Sequence, residues 1–214
     1  MWKVVRPVRL AGLLQELGEQ IAAETGVACL GIPCDAQDRS QVASLISAVK
    51  AHFGRIDVFI YATGANIPQR ALDELTPETW DMMIGTNLTG AFHCTQLLLP
   101  IMREQGDGLI IYVSSIAARR ADAVSGVAYQ AAKRAVDGLA GTVTMEEKER
   151  GIRASVIYPG FCDTPLVLQR PKPTPPDVLA KALIPEDVAE ACLFVAALPA
   201  RCHVPELVIQ PSLL

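Results

Sequence analysis

The sequence predicts an α/β fold with a parallel sheet. Three observations carry that reading. Apolar strand-like runs alternate with amphipathic stretches of helical period almost throughout. Half of the residues are hydrophobic and 20% are charged, a globular composition. The 214 residues show neither an internal repeat nor a composition break, so residues 1–214 read as one domain with a substantial core.

The elements follow in order. Trp2 to Val5 is a short strand candidate. Leu10 to Thr25 has helical periodicity and stops at Gly26. Val27 to Cys34 is the next strand, with Asp35 at its carboxyl end, and Asp38-Arg39-Ser40-Gln41 opens a helix to about Phe53. Ile56 to Ala62 is a buried strand, turned by Thr63-Gly64. Thr76-Pro77-Glu78 starts a helix with Thr as N-cap and Pro at the first helical position. That helix spans Thr79 to Glu104 and is bent or broken near Gly90. Gly108 to Ser114 is a strand, Ala128 to Arg150 a helix, and Arg153 to Tyr158 a strand ending at Pro159-Gly160. Residues 165–184 are proline-rich and aperiodic, and read as a mobile insertion beside a site or as a linker. Pro185-Glu186-Asp187 starts the last helix, and Glu206 to Gln210 is the last strand.

The charge of -4 and pI near 5.4 argue against a nucleic-acid surface. Arg119-Arg120 and Lys148, Arg150 and Arg153 read as solvated clusters. Six cysteines without a Cys-x-x-Cys pair read as buried reduced thiols, with disulfides or metal ligands as the alternative. The three histidines lack zinc-site spacing, so no metal is expected. No signal peptide and no membrane-spanning apolar run is visible, which makes the reducing cytoplasm the default expectation.

The chemistry concentrates in Tyr129-Gln130-Ala131-Ala132-Lys133, with Ser114-Ser115 upstream and Tyr158-Pro159-Gly160 downstream. Four apart on a helix puts the phenol and the ammonium on one face. A cation beside a phenol favours phenolate, lowering the Tyr pKa from about 10 towards working pH. A serine hydroxyl at the same spot can hydrogen-bond a substrate carbonyl or hydroxyl.

Together with Thr86-Asn87-Leu88-Thr89-Gly90, Val113-Ser114-Ser115 and Pro159-Gly160-Phe161-Cys162-Asp163-Thr164, this pattern resembles the classical short-chain dehydrogenase/reductase family from about Val4 to Pro211. The resemblance implies a Rossmann-like, doubly wound parallel sheet in a three-layer α/β/α arrangement. Tyr129 would be the general acid/base, and Lys133 would lower its pKa and bond the nicotinamide ribose. Ser115 would polarise the substrate carbonyl, with Ser114 as the competing assignment. Asn87 would hold a water in a proton relay, or alternatively kink its helix by bonding backbone. Asp35 would bond the adenine amino group, or else cap a helix. Ala62 and Gly64 would border the adenosine ribose, and Pro159-Gly160 would let backbone pass the nicotinamide. Cys162 would offer its N–H to the carboxamide, and Thr164 its hydroxyl to the carboxamide or the pyrophosphate. A nucleophilic role for Cys162 has no neighbouring histidine in the sequence to support it.

Two departures qualify the resemblance. The Gly-rich strand–turn–helix that cradles a diphosphate has no counterpart, so the chain reads as N-terminally truncated, beginning inside the second strand. The lost strand would be central and leave two open edges, unless another segment substitutes for it. Tyr61-Ala62-Thr63-Gly64 stands where the family has Asn-Asn-Ala-Gly, so Ala62 cannot steady the sheet by its side chain. Val4-Val5-Arg6-Pro7-Val8-Arg9 carries no acid at the ribose-binding position, and Arg6 and Arg9 could pair a 2′-phosphate, favouring NADP over NAD, unless Arg9 is merely an exposed helix residue. The expected activity is NAD(P)-dependent interconversion of a small alcohol and a ketone or aldehyde by a homodimer or homotetramer, with residues 165–184 as a substrate lid. The competing expectation is a truncated, non-catalytic relative that binds a partner or assembles with other subunits. A dehydratase or epimerase using the same Tyr and Lys is the third.

Overall fold

The structure, a computed structural model, describes the backbone of residues 4–7 and 11–214, and the side chains of residue 12 and residues 14–214. Strand β1 (Val4–Pro7) leads through helix α1 (Ala11–Thr25) to β2 (Cys29–Ile32), and α2 (Arg39–Phe53) leads on to β3 (Val58–Tyr61). Helices α3 (Pro77–Ile84) and α4 (Gly90–Gln105) precede β4 (Gly108–Val113), and α5 (Val127–Glu147) precedes β5 (Ile152–Pro159). The short α6 (Pro176–Leu179), then α7 (Pro185–Ala197) and β6 (Glu206–Ile209), complete the order.

All ladders are parallel. β1 pairs with β2, with Val4 opposite Cys29 and Pro7 opposite Ile32. β3-β4-β5-β6 form a second sheet in that order, with Val58 opposite Leu109, Gly108 opposite Ile152 and Val156 opposite Glu206. Among the described residues no ladder joins β1 or β2 to β3, and no other strand lies between the two sheets. Ile60 of β3 is 43% exposed.

The strands sort their side chains with period two. Ile110, Tyr112, Val156 and Tyr158 face one layer, packed with Val42, Leu98, Met102, Val136 and Val143 of α2, α4 and α5. Leu109, Ile111 and Ile157 face the other layer and meet Ala191, Cys192 and Val195 of α7. The result is a doubly wound α/β/α sandwich. Each fully buried Ile or Leu contributes roughly 1.5–3 kcal/mol by leaving water.

Local chemistry sets the helix ends. The Asp38 carboxylate accepts the N–H groups of Ser40 and Gln41 at the start of α2, and these bonds with the Ser40 and Gln41 side chains hold its pKa at about 2. Thr76 and Thr79 form a reciprocal cap at the start of α3, with Pro77 at its first position.

Three expectations change. The helix expected over 79–104 is two helices joined by one π turn, Gly85–Thr89, just before the anticipated break. Asn87 accounts for it: its Nδ2 donates to the Met83 carbonyl at 2.9 Å, competing with the backbone ladder. The segment 165–184 is not structureless, since it holds a 3-10 turn at Pro165–Gln169 and helix α6, each with Pro in its first turn. The basic clusters are also more than solvated surface. Arg119 pairs with Glu206 and stacks on the Tyr158 ring, and Arg153 reaches Asp107 at 3.0 Å. Arg150 and Arg103 both clasp Glu147, whose side chain is 1% exposed.

All six cysteines are free. Among the described residues no His/Cys/Asp/Glu group suits a metal ion, and no helix is long and apolar enough to cross a membrane.

Candidate active site

The motif residues meet where parallel strands end at their carboxyl edge, the usual ligand side of such sheets. β4 delivers Ser114 and Ser115, the turn after β3 delivers Thr63-Gly64-Ala65, and β5 delivers Pro159-Gly160. α5 carries Tyr129 and Lys133 against this edge, and the π turn carries Asn87.

Lys133 is 4% exposed, and its Nζ donates to the Val113 carbonyl at 2.9 Å. Burial destabilises the ammonium and brings its pKa down to about 8. Asn87 is fully buried. Its Oδ1 accepts the Ala65 N–H at 3.1 Å, and its Nδ2 donates to the Ala65 carbonyl at 3.0 Å. Both side chains converge on Gly64: a methyl group there would sit 3.2 Å from Asn87 Oδ1 and 3.3 Å from Lys133 Nζ.

The two serines divide their work. Ser114 is buried and donates to the Lys133 carbonyl at 3.1 Å, tying β4 to α5. Ser115 is half-buried, accepts the Ala117 N–H, and lies near enough to the Tyr129 phenol to favour its ionised form. The side chain facing the phenol is therefore that of Ser115.

The phenol itself corrects an expectation. Lys133 Nζ lies 5.8 Å from the Tyr129 ring centroid and donates elsewhere. Burial dominates and raises the Tyr129 pKa; the Ser115 hydroxyl and the charge of Arg70 oppose that rise in part.

Asp35 Oδ1 accepts the Gln37 N–H at 3.1 Å, so its carboxylate shapes the turn after β2, while Asp38 is the helix cap. Ala62 and Gly64 are exposed at the end of β3, and Pro159 is buried while Gly160 is half-buried at the end of β5. A side chain at Gly160 would press on Pro211 at 3.0 Å. Cys162 bridges Leu183, which draws residues 161–163 against the end of the 165–184 segment. Burial, then Asp187, Asp163 and Glu186, push the Cys162 thiol up, against a nucleophilic role. Thr164 precedes the 3-10 turn. The side chain of Arg6 lies outside the described residues, as do Trp2 and Arg9.

Sequence reasoning missed Arg70. It is 5% exposed in the loop before α3 and donates to three carbonyls: Ile67, Val124 at 3.0 Å, and Gln169. An arginine in a loop with no periodicity around it gives no signal of burial.

The fold and the motif residues at this strand edge match those of an α/β oxidoreductase family, and the comparisons agree. The short chain dehydrogenase family model matches residues 2–174, and the chain belongs to that family. An uncharacterised oxidoreductase of Staphylococcus aureus is 30% identical over 209 residues, covering 98% of this chain and 86% of that one. The cis-4-hydroxycyclohexanecarboxylate dehydrogenase of Sinomonas cyclohexanicum is 34% identical over 179 residues, 81% of this chain and 72% of that one. Among solved structures, the alcohol dehydrogenase of Thermococcus sibiricus complexed with 5-hydroxy-NADP superposes with a TM-score of 0.86 at 26% identity, over 97% of this chain and 85% of that one.

Proposed function

We propose that this chain interconverts an alcohol and a ketone or aldehyde with a nicotinamide cofactor. The observation that carries the reading is the convergence of Ser115, Tyr129, Lys133 and Asn87 on one strand edge beside Gly64. The bound nicotinamide would supply or accept the hydride.

This chain's residues fit the nicotinamide end of such a cofactor. Lys133 has three ammonium protons and one carbonyl partner, leaving donors for ribose hydroxyls. Gly64 lets the turn after β3 pack directly against Asn87 and Lys133, and Gly160 lets the end of β5 pack against Pro211. Pro159, Cys162 and Thr164 would line the carboxamide, and Asp35 and Ala62 the adenosine end. Arg6 makes NADP the favoured form, and the Thermococcus relative's 5-hydroxy-NADP supports that choice.

Tyr129 keeps its proton at neutral pH because burial raises its pKa. It would therefore act as the acid that protonates the developing alkoxide in carbonyl reduction. Ser115 would hold the substrate oxygen, and Lys133 and Asn87 would return a proton to Tyr129. Residues 165–184 would close over the substrate in one domain, and the chain would act as a cytoplasmic homo-oligomer.

Titration with NADPH and NADH, followed by tryptophan fluorescence, tests cofactor binding, and a panel of small ketones tests turnover. Saturable binding with turnover lost in Tyr129→Phe is expected. Turnover retained in Tyr129→Phe would sink the assignment. The free edge of β3 favours one alternative, a chain that assembles with partner subunits and does not turn over. Saturable cofactor binding and turnover by the purified chain would rule that alternative out.

A further inference from the structure

We infer that Arg70 is a positioning residue for Tyr129: its buried guanidinium fastens the 165–170 segment and the 121–126 loop beneath the first turn of α5, and sets a fixed positive charge facing the phenol. The inference rests on the oxidoreductase reading and adds a residue to it.

The geometry comes from three directions. Arg70 Nε donates to Ile67, within its own loop, at 2.5 Å. Nη1 donates to Val124, in the loop leading into α5, at 3.0 Å. Nη2 donates to Gln169, the last residue of the 3-10 turn in the proposed lid. One planar fork thus joins three segments that are distant in sequence, a task for which lysine has the wrong shape. Gly126 shows how tightly the stem of this side chain is seated. It precedes α5 with φ +76°, and a Cβ there would meet Arg70 Cβ at 2.7 Å. Tyr129 lies three residues further on. Adjacent Asn66 braces the same junction, its Nδ2 donating to the Ser125 carbonyl at 2.9 Å.

The charge at this junction is uncompensated by contact. Among the described residues Arg70 makes no ion pair, and its three hydrogen-bond partners are neutral carbonyls. The groups that act on the Tyr129 phenol are Ser115 from the end of β4 and, by charge, Arg70 from the loop before α3, while Lys133 of α5 lies 5.8 Å from the ring. Asp122 of the 121–126 loop and Arg170 of the lid act on Arg70 in opposite senses. Burial lowers the Arg70 pKa, yet a guanidinium stays protonated at working pH, so its charge is permanent where that of Lys133 is not. A permanent cation favours phenolate at Tyr129.

The test uses the full chain with NADPH bound, in wild type, Arg70→Gln and Arg70→Lys. Tyr129 ionisation is read by ultraviolet difference titration against the same background carrying Tyr129→Phe. Lid order is read by hydrogen exchange at the Val167 and Arg170 amides, which close the 3-10 turn. Arg70→Gln is expected to move the Tyr129 midpoint up by about one pH unit and to speed exchange at both amides roughly tenfold. An unmoved midpoint overturns the inference even if melting temperature and turnover fall, because a purely structural arginine would cost stability without moving it. Unchanged exchange overturns it as well. If Arg70→Gln does not fold, Arg70→Lys decides. Keeping the charge but not the fork, it should hold the midpoint and still loosen the lid, and a shifted midpoint or an intact lid counts against the inference. None of these readouts needs turnover, so a wild-type chain that reduces no ketone would sink the oxidoreductase reading separately.

Discussion

Asn87 and Ala65 exchange two hydrogen bonds, Oδ1 accepting the Ala65 N–H at 3.1 Å and Nδ2 donating to the Ala65 carbonyl at 3.0 Å. One amide thus mimics a strand partner for the turn after β3 and holds it against Lys133. Asn87→Ala strands these groups and the Met83 carbonyl in a buried site. The expected cost is about 3 kcal/mol, read by urea denaturation. Cofactor affinity should weaken with it, since Gly64 sits in the same turn. A variant of wild-type stability would mean that water replaces the amide.

Lys133 costs the fold something. Its ammonium loses its proton at about 8 when folded and at 10.5 when unfolded, so between those values the unfolded chain binds more protons. Stability from this group therefore rises with pH across that window, and the penalty is fully present below it. Lys133→Met should raise the stability of the cofactor-free chain at pH 7 by about 1–2 kcal/mol, a fraction of the burial penalty because the Val113 carbonyl loses its donor. The same variant should lose turnover. A lower melting temperature for Lys133→Met would show that the ammonium's hydrogen bond outweighs its desolvation.

Glu147 behaves oppositely. Arg103 first, then Arg150, holds its carboxyl below the usual range despite burial. A depressed folded pKa gives stability that is present above about 4.5 and lost as pH falls towards the folded value. Both arginines are about half exposed, which discounts the pair. Glu147→Ala should cost about 2 kcal/mol and flatten the acid limb of stability against pH below about 4.5. An acid limb identical to wild type would assign acid unfolding to other carboxyls.

Gly90 is required by Tyr61. The Tyr61 hydroxyl donates to the Thr86 carbonyl at 2.7 Å across the π turn, and a Cβ at position 90 would strike that hydroxyl and Ala36. Gly90→Ala should destabilise by about 2 kcal/mol through overpacking, measured by thermal unfolding. The paired variant Gly90→Ala with Tyr61→Phe should recover part of that loss.

Much of this is legible in the chain. Tyr129, Lys133 and Ser115 stand out because helical spacing and strand-end placement are local properties, and the structure brings them together. The parallel direction of the strands follows from the alternation of apolar and amphipathic runs. Other features depend on contacts between distant residues. The π turn arises from Asn87 bonding Met83 and Ala65, and nothing in the hydrophobic period distinguishes it from a bend at Gly90. The phenol's raised pKa reflects the water it loses when the chain folds around it, which residue spacing does not encode. Arg70 stays hidden because its partners are carbonyls of residues 67, 124 and 169, and carbonyls leave no mark on a sequence.

The two unjoined sheets give the molecule a seam. Among the described residues, β1, α1 and β2 meet the rest through side chains such as Ile32, Cys34 and Ala36 and without a shared ladder. Such a unit can open on its own, at a lower free energy than the β4–β5 centre. Amides of Cys29–Ile32 should then exchange in a sub-global event while those of Leu109–Tyr112 wait for complete unfolding. A ligand held at one end by Asp35 and at the other by Lys133 would act as a clasp across that seam. Its binding energy would emerge chiefly as protection of the N-terminal unit, so that ligand occupancy and the integrity of that unit rise and fall together.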